Sequence, residues 1–436
     1  DGYQEFRRST VNDNELPSPR EISERIFGQN LLEATKSVDN TGRNLLLGYF
    51  GQMLDHDITL TKENHDDAKP FSIPDNDRFY DPFNTGNVIS EHPFSRSETI
   101  EGSGTDSSNP RRFDNFITAW IDASFVYGSS EEEVSRLRDD NGELLHGAKF
   151  PGDGVYDEEG YLLPHGLLPM DNPRGSATND DMMAAGDIRC NENPVLASLH
   201  TVFFREHNRK VKEMTEKGEC SGSDECFDKA RLWVGALVQS IVVSEYLPAL
   251  FGRDDPLGAY TGYKEDVDPA IAIAFSTATF RFGHSQISGL IPNLGHGGKN
   301  LGGLLLRDTY FMPSVVDERG ISGILRGVMN APVEEFDHLA VGDLRNSLFS
   351  LHSGGLGQDL ISRNINRGRD HGILTYAMAR EYFLNEQYTS LDDYMSDEQQ
   401  YLKDEVRDIY ESERDIDLFL GMFLDKKTSN YSVFGD

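Results

Sequence analysis

Cysteine is scarce in this chain, with three in 436 residues, and tryptophan scarcer still, with two. No CxxC or HExxH pattern accompanies the cysteines, which excludes the common zinc-site spacings. Cys220 and Cys226 bracket a short polar loop, SGSDE, a spacing that allows a disulfide; Cys190 is left as a buried free thiol. Basic residues are also few, 41 against 74 acidic, giving a formal net charge of −33. Such a surface repels nucleic acid and anionic membranes and favours cations or small neutral substrates. Long apolar runs are missing: none approaches the roughly 18–20 residues that cross a bilayer. The best stretch, Trp233 to Leu247, is broken by Gln239, Ser240, Ser244 and Glu245 and reads as a buried helix, so no membrane span is expected. Internal repeats and low-complexity linkers are absent as well, which predicts one domain over residues 1–436. The chain opens DGYQEF, with no initiator Met and no signal peptide, and reads as a mature or trimmed form. The sequon Asn430-Tyr431-Ser432 adds to a secreted, extracellular expectation.

What is present is helical pattern. Val195 to Met214 carries apolar residues at helical spacing, and Phe227 to Leu247 does the same before stopping at Pro248. Ala270 to Phe282, Gly372 to Asn385 and Asp404 to Leu424 follow. Two stretches, Lys62 to Arg112 and Asp139 to Asp187, are rich in turn-forming residues and read as loops. Alternating strand patterns are few. The fold class is therefore mainly α, helices joined by long functional loops with little β structure.

Five segments carry candidate chemistry. In GQMLDHD, residues on a helix advance by about 100° each, so Gln52, Asp55 and His56 share one face while Asp57 points away. An imidazole, an amide and a carboxylate thus reach one site, and a second carboxylate reaches another; alone, His56 reads as a histidine at a polar helix end. In TAWIDAS, oxygen-bearing side chains stand at Thr118, Asp122 and Ser124, with the carbonyl of Trp120 between them. A loop with oxygens at every second position can wrap a hard cation such as Ca²⁺, which takes six to eight oxygens, and an ordinary strand has the same pattern. GDIRCNENP places an arginine and carboxylates in a loop running into a helix. FRFGH ends an apolar helical stretch in an imidazole, suited to a flat apolar cofactor or to a core. NINRGRDHG is dense in polar groups just before a helix, without the glycine spacing of a phosphate loop.

GQMLDHD, TAWIDASFVYGS, AGDIRCNE, FRFGH and NRGRDHG, in this order from roughly Asn44 to Glu381, resemble the animal heme peroxidase family, the group containing myeloperoxidase, lactoperoxidase and peroxidasin. The resemblance implies the helical fold of that family and a heme b cofactor. By it His56 is the distal acid–base residue, Arg189 the distal arginine, and Gln52 a cavity-lining amide that holds water or a small anion. His284 is implied as the proximal iron ligand, with Asn364 accepting a hydrogen bond from its other ring nitrogen. Asp57, Thr118, the Trp120 carbonyl, Asp122 and Ser124 match the family's Ca²⁺ site, and Asp55 and Glu192 its ester links to heme. Arg281 and Arg367 are expected near the proximal side or the propionates. The segment Arg205-Glu206-His207-Asn208 also matches and is expected to serve helix packing. The implied activity is reduction of hydrogen peroxide through an oxoferryl intermediate with oxidation of a small donor. Asn193 stands where myeloperoxidase has a methionine that forms a sulfonium link, which argues against chloride and leaves bromide, iodide, thiocyanate or phenols. Two other readings share the fold: a fatty-acid oxygenase of the cyclooxygenase-like branch, and a catalytically silent adhesive or matrix protein. Retention of His56, Arg189 and His284, with no RGD triplet, argues against the second.

Overall fold

The structure is a computed structural model that describes residues 16–28, 36–75, 77–80, 90–150, 160–175, 177–350, 357–396, 399–426 and 432–433. The sequon at Asn430 therefore lies outside the described residues.

Helices dominate, as the sequence pattern predicts. Two of them, Leu46–Ile58 and Pro194–Lys217, pack against each other at the centre of the molecule. The longer begins where it does because the Asn193 side chain accepts from the Leu196 N–H and Pro194, whose missing N–H costs nothing there, occupies the first turn. It ends at Gly218, whose φ of 68° is the left-handed cap that glycine adopts freely. Leu46–Ile58 also touches the short helix Ser124–Tyr127 and a 3₁₀ turn, Thr279–Ser285. The helix Leu360–His371, capped by Asp359, packs on Ile273–Thr277 and so reaches the same region from the other side. Strands among the described residues form only two-stranded antiparallel pairs, Glu63–Ala68 with Ser95–Ser97 and Leu290–Ile291 with Leu304–Leu305 among them. The first of these falls in a stretch expected to be loop throughout.

Several predicted helices differ in extent. Pro248 does not stop its helix: Ser223–Ile241 continues through a wide turn, Val242–Tyr246, into Leu247–Phe251 and ends at Gly252. The wider π spacing accommodates a proline that offers no N–H. Nor is this rod buried as expected. Leu232, Trp233 and Val243 are exposed. Over 29 residues, Ser223–Phe251, it has a mean hydropathy of 1.5 in its most apolar window and is long and apolar enough to cross a membrane. The stretch 270–282 is α-helical at Ile273–Thr277 and continues in the 3₁₀ turn Thr279–Ser285, and 404–424 splits into Gln400–Ile409 and Leu418–Leu424. NRGRDHG forms the end of the helix Leu360–His371, with Gly372 as its cap, and stands just before the helix Tyr376–Phe383. Cys220 and Cys226 are disulfide-bonded, and Cys190 is a buried free thiol. His207 and Asn208 do tie loops to a helix, His207 to Tyr127 and the Gly142 carbonyl, Asn208 to the backbone of Leu144.

Candidate active site

Gln52, Asp55 and His56 share one helix face, and all three line a cavity of about 230 Å³. Arg189, Glu192 and Asn193 join them from the loop before Pro194, and Arg281 and His284 from the 3₁₀ turn opposite. Phe280, Phe282, Ile287, Leu306, Leu344 and Leu348 supply apolar walls. A second, polar cavity of about 810 Å³ shares Asp55, Arg189, Arg281 and Arg363 with the first.

On one side, His56 is buried, with Nδ1 3.6 Å from Asp187 Oδ1 and no hydrogen-bond partner among the described residues. Burial, then Arg189, push its pKa well below the ordinary histidine value, so the ring is a neutral base at pH 7. Arg189 donates from Nε and Nη2 to Asp187 at 2.9 and 2.8 Å and from Nη2 to the Thr59 carbonyl at 3.0 Å; its Nη1 lies 3.7 Å from Asp55. Burial opposes ionisation of Asp187, yet Arg189 and His56 hold it down at about 2. Asp187 thus faces both the imidazole and the guanidinium. No particular role for Asp187 followed from the sequence alone. Its signal was there, a carboxylate two residues before Arg189 in AGDIRCNE. Asp55 and Glu192 behave oppositely. Burial raises Asp55 to about 6 against the pull of Arg189 and Arg281, and Glu192 to about 7 against Arg189 and Gln52.

On the other side, His284 Nδ1 lies 2.6 Å from the Asn364 amide nitrogen, while the amide oxygen accepts from Arg281 Nη1 at 2.8 Å. Asn364 thus sits between His284 and Arg281, its amide bonded to both. Burial, then Arg281, lower His284 to about 3. Arg281 itself falls to about 10: burial dominates, Asp55 offsets part of it, and Arg367, Arg363 and Arg189 add to it. Such a buried, crowded guanidinium calls for an anion. Arg363 lines the smaller cavity, whereas Arg367 lines only the larger and is held by Glu63 and Asp370. Arg367 therefore shares the larger cavity with Arg281 and Arg363 and does not line the one that His284 lines.

A planar, apolar, dianionic group bearing a metal fits these residues. Apolar side chains supply much of the wall, Arg281 has no ion pair among the described residues, and there too the Tyr49 and Tyr310 hydroxyls and the Gln286 amide at the cavity have no hydrogen-bond partner.

Behind the helix, Asp57 is fully buried. Ser124 Oγ donates to its carbonyl at 2.8 Å and its carboxylate at 3.1 Å, and the N–H groups of Ala123 and Phe125 point at the carboxylate. Burial, then Asp122, raise it to about 7. Thr118 Oγ1 bonds the Trp120 carbonyl and N–H, and Asp122 accepts from the Ser124 N–H. The loop brings two acids, two hydroxyls and a carbonyl together, a hard-oxygen set that suits a divalent cation. Among the described residues no group of three or more His, Cys, Asp or Glu forms such a site. Gly186 joins this loop to the arginine: a Cβ there would sit 2.2 Å from the Ser124 carbonyl and the Gly128 nitrogen.

The sequence pattern of the family described as Animal haem peroxidase matches residues 1–436. Peroxinectin A of Dictyostelium discoideum is 30% identical over 384 residues, 86% of this chain and 69% of that protein. Thyroid peroxidase of Canis lupus familiaris is 32% identical over 86% of this chain, and peroxidasin homolog pxn-2 of Caenorhabditis elegans 29% identical over 98%. The chain spans 43% and 34% of those two longer proteins. Among solved structures, peroxidase A of Dictyostelium discoideum superposes over 99% of this chain and 82% of its own, with a TM-score of 0.86 and 28% identity. A fatty acid alpha-dioxygenase of Oryza sativa holding palmitic acid shares the fold, with a TM-score of 0.77, at 16% identity.

Proposed function

The chain belongs to the animal heme peroxidase family of heme-dependent oxidoreductases, and from that premise we propose that it reduces hydrogen peroxide and oxidises a small donor in the cavity between His56 and His284. The observation that carries this is the meeting of His56, Arg189 and His284, from three separate segments, around one apolar-walled cavity.

His284 would ligate the heme iron, Arg281 would meet a propionate, and Asp55 and Glu192 would form ester links. An imidazole that gives Nε2 to a metal carries its proton on Nδ1, so Asn364 would turn its oxygen to that proton. When bound, heme supplies the redox-active iron and stores the oxidising equivalents that peroxide delivers. The residues do the rest. Neutral His56 takes the proton from one peroxide oxygen and returns it to the other, which leaves as water with the second peroxide proton. Asp187 favours the His56 tautomer with its proton on Nδ1, leaving Nε2 as the base. Arg189, fixed by Asp187, stabilises the negative charge that grows as the O–O bond breaks.

Asp57, Thr118, Trp120, Asp122 and Ser124 would hold Ca²⁺, which anchors the helix presenting His56 without touching the reaction. The Cys220–Cys226 disulfide supports a secreted, extracellular protein. The test is an absorption spectrum before and after peroxide, followed by a donor screen across chloride, bromide, iodide, thiocyanate and a phenol. A Soret band that shifts on peroxide addition supports the reading; purified protein with no Soret band after heme loading refutes it.

A fatty-acid oxygenase is a second reading, supported by an apolar cavity of about 520 Å³ that shares Tyr246, Phe280 and Phe282 with the site. Oxygen uptake with a polyunsaturated fatty acid distinguishes the two.

A further inference from the structure

One side of the rod Ser223–Phe251 braces the loop of Asp122. A Cβ on Gly235 would meet the Asp122 carbonyl at 3.5 Å, and Gln239 Nε2 donates to the Ile121 carbonyl at 2.7 Å. The other side is exposed, Leu232 by 74%, Val243 by 50% and Phe251 by 39%. Leu232, Ala236, Gln239 and Val243 follow at steps of four, three and four, the spacing of one helix face. Steps of four carry that face on through the wide turn to Leu247 and Phe251. Trp233 flanks it, pinned by a bond from Nε1 to Glu206 at 2.8 Å and by Lys210 4.3 Å above its ring.

This face carries no charge. In a protein of net charge −33, no exposed residue from 230 to 244 is charged. Single exposed apolar residues need no explanation, but a file of them along about 28 Å of helix does. A helix apolar on both sides is one that is covered on both sides.

Charge resumes at the two ends in a definite order. Asp228 and Lys229 precede Leu232, Arg253 and Asp254 follow Phe251, and all four are exposed. Turned end for end, the strip matches itself. In an antiparallel pair Leu232 meets the partner's Phe251, Ala236 meets the partner's Leu247, and Val243 lies beside the two-fold axis. Lys229, which also holds Glu225 at 2.7 Å, reaches the partner's Asp254, and Asp228 the partner's Arg253. A parallel pair would instead set Asp228 against Asp228 and Asp254 against Asp254.

We propose that this face is the contact between two copies of the chain, an isologous antiparallel helix pair centred near Val243 and closed at each end by opposite charges. The proposal does not rest on the reaction assigned to the cavity. One helix face per copy makes a small interface, so the dimer is weak and depends on concentration. Symmetry places each side chain in the contact twice, so each substitution counts twice.

The test is sedimentation of the full chain from micromolar to submillimolar concentration, with Tm checking that each variant folds. The mass should rise from one chain to two. Leu232→Glu and Val243→Glu should each raise Kd about tenfold or more. Lys229→Glu should raise it about fivefold, and adding Asp254→Lys should restore it. Val243→Cys should link two chains through a disulfide under mild oxidation, since the two copies of that residue lie about 4.5 Å apart along the helix direction. Asp228→Cys, about 40 Å from its copy, should not. The native cysteines leave this readout clean, Cys190 being buried and Cys220 bonded to Cys226. A chain that stays monomeric throughout, or a dimer indifferent to Leu232→Glu and Val243→Glu, overturns the proposal. A monomer that instead floats with phosphatidylcholine vesicles gives the face to a membrane and overturns it too. Linkage through Asp228→Cys, or failure of Asp254→Lys to restore Lys229→Glu, overturns the antiparallel register.

Discussion

The two histidines that face each other across the cavity are held in opposite ways. His56 stands on a regular helix, faces Asp187, and has a guanidinium locked to that same carboxylate. Its charges balance within the protein. His284 stands on a 3₁₀ turn and is bonded to a neutral amide that Arg281 also engages, beside a cluster of arginines that depress one another. Its charges do not balance. The side of His56 meets its charges within the protein, whereas the arginine cluster beside His284 calls for an anionic group. A reaction chamber of this kind keeps its acid–base geometry independent of the group it acts upon.

The sharpest way to break this comparison is at His284. His284→Ala should abolish the Soret band and with it all peroxide reactivity, measured by absorption after heme reconstitution. His56→Ala should do the reverse, keeping the Soret band and slowing the peroxide reaction by roughly 10²–10⁴-fold, the range for loss of a general base, in stopped-flow traces. An unchanged rate there would remove His56 from the mechanism. Asp187→Asn should slow the same reaction less, since it leaves the imidazole in place and removes only the charge that orients it.

The pH dependence sharpens the contrast further. The base works when neutral, and burial with Arg189 depresses its pKa, so protonation sets in only below the usual histidine range. The peroxide rate should stay level from pH 8 down past 6.5 and fall only in more acidic solution. A break at or above 6.5 would show that His56 is not held as described. The smallest effect belongs to the cation loop. Calcium added to chelator-treated protein should raise Tm, by about 2.7 kcal/mol of stability at a hundredfold excess over Kd. Asp57→Asn should remove the response. Because Asp57 is raised to about 7, protons compete with the ion, and the rise should shrink as pH falls through 7.

The sequence made the helical class legible, because stretches such as Val195 to Met214, within Pro194–Lys217, carry the period of a helix. It made one face of the cavity legible too, since helical spacing puts Gln52, Asp55 and His56 together. Pairing across the cavity was not legible from spacing. Asn364 lies 80 residues from His284, and only the resemblance joined them. Nor does any periodicity say that Arg281 also reaches Asn364, or that Asn193 bonds Gln52. Pro248 misled because a wide turn can absorb a proline, a choice made by packing and not by propensity. Trp233 to Leu247 misled in another way, since composition cannot say which residues of an apolar helix are left uncovered.

Gly186 has a consequence of its own. With the Ser124 carbonyl and the Gly128 nitrogen 2.2 Å from where a side chain would begin, the loop of Arg189 and the loop of Asp122 and Ser124 meet like parts of a joint machined without clearance. Such a joint transmits position and absorbs none. Even alanine at 186 would force the two parts open by a methyl group's width, and the wedge would be felt at Arg189 and at Asp57 in the same instant.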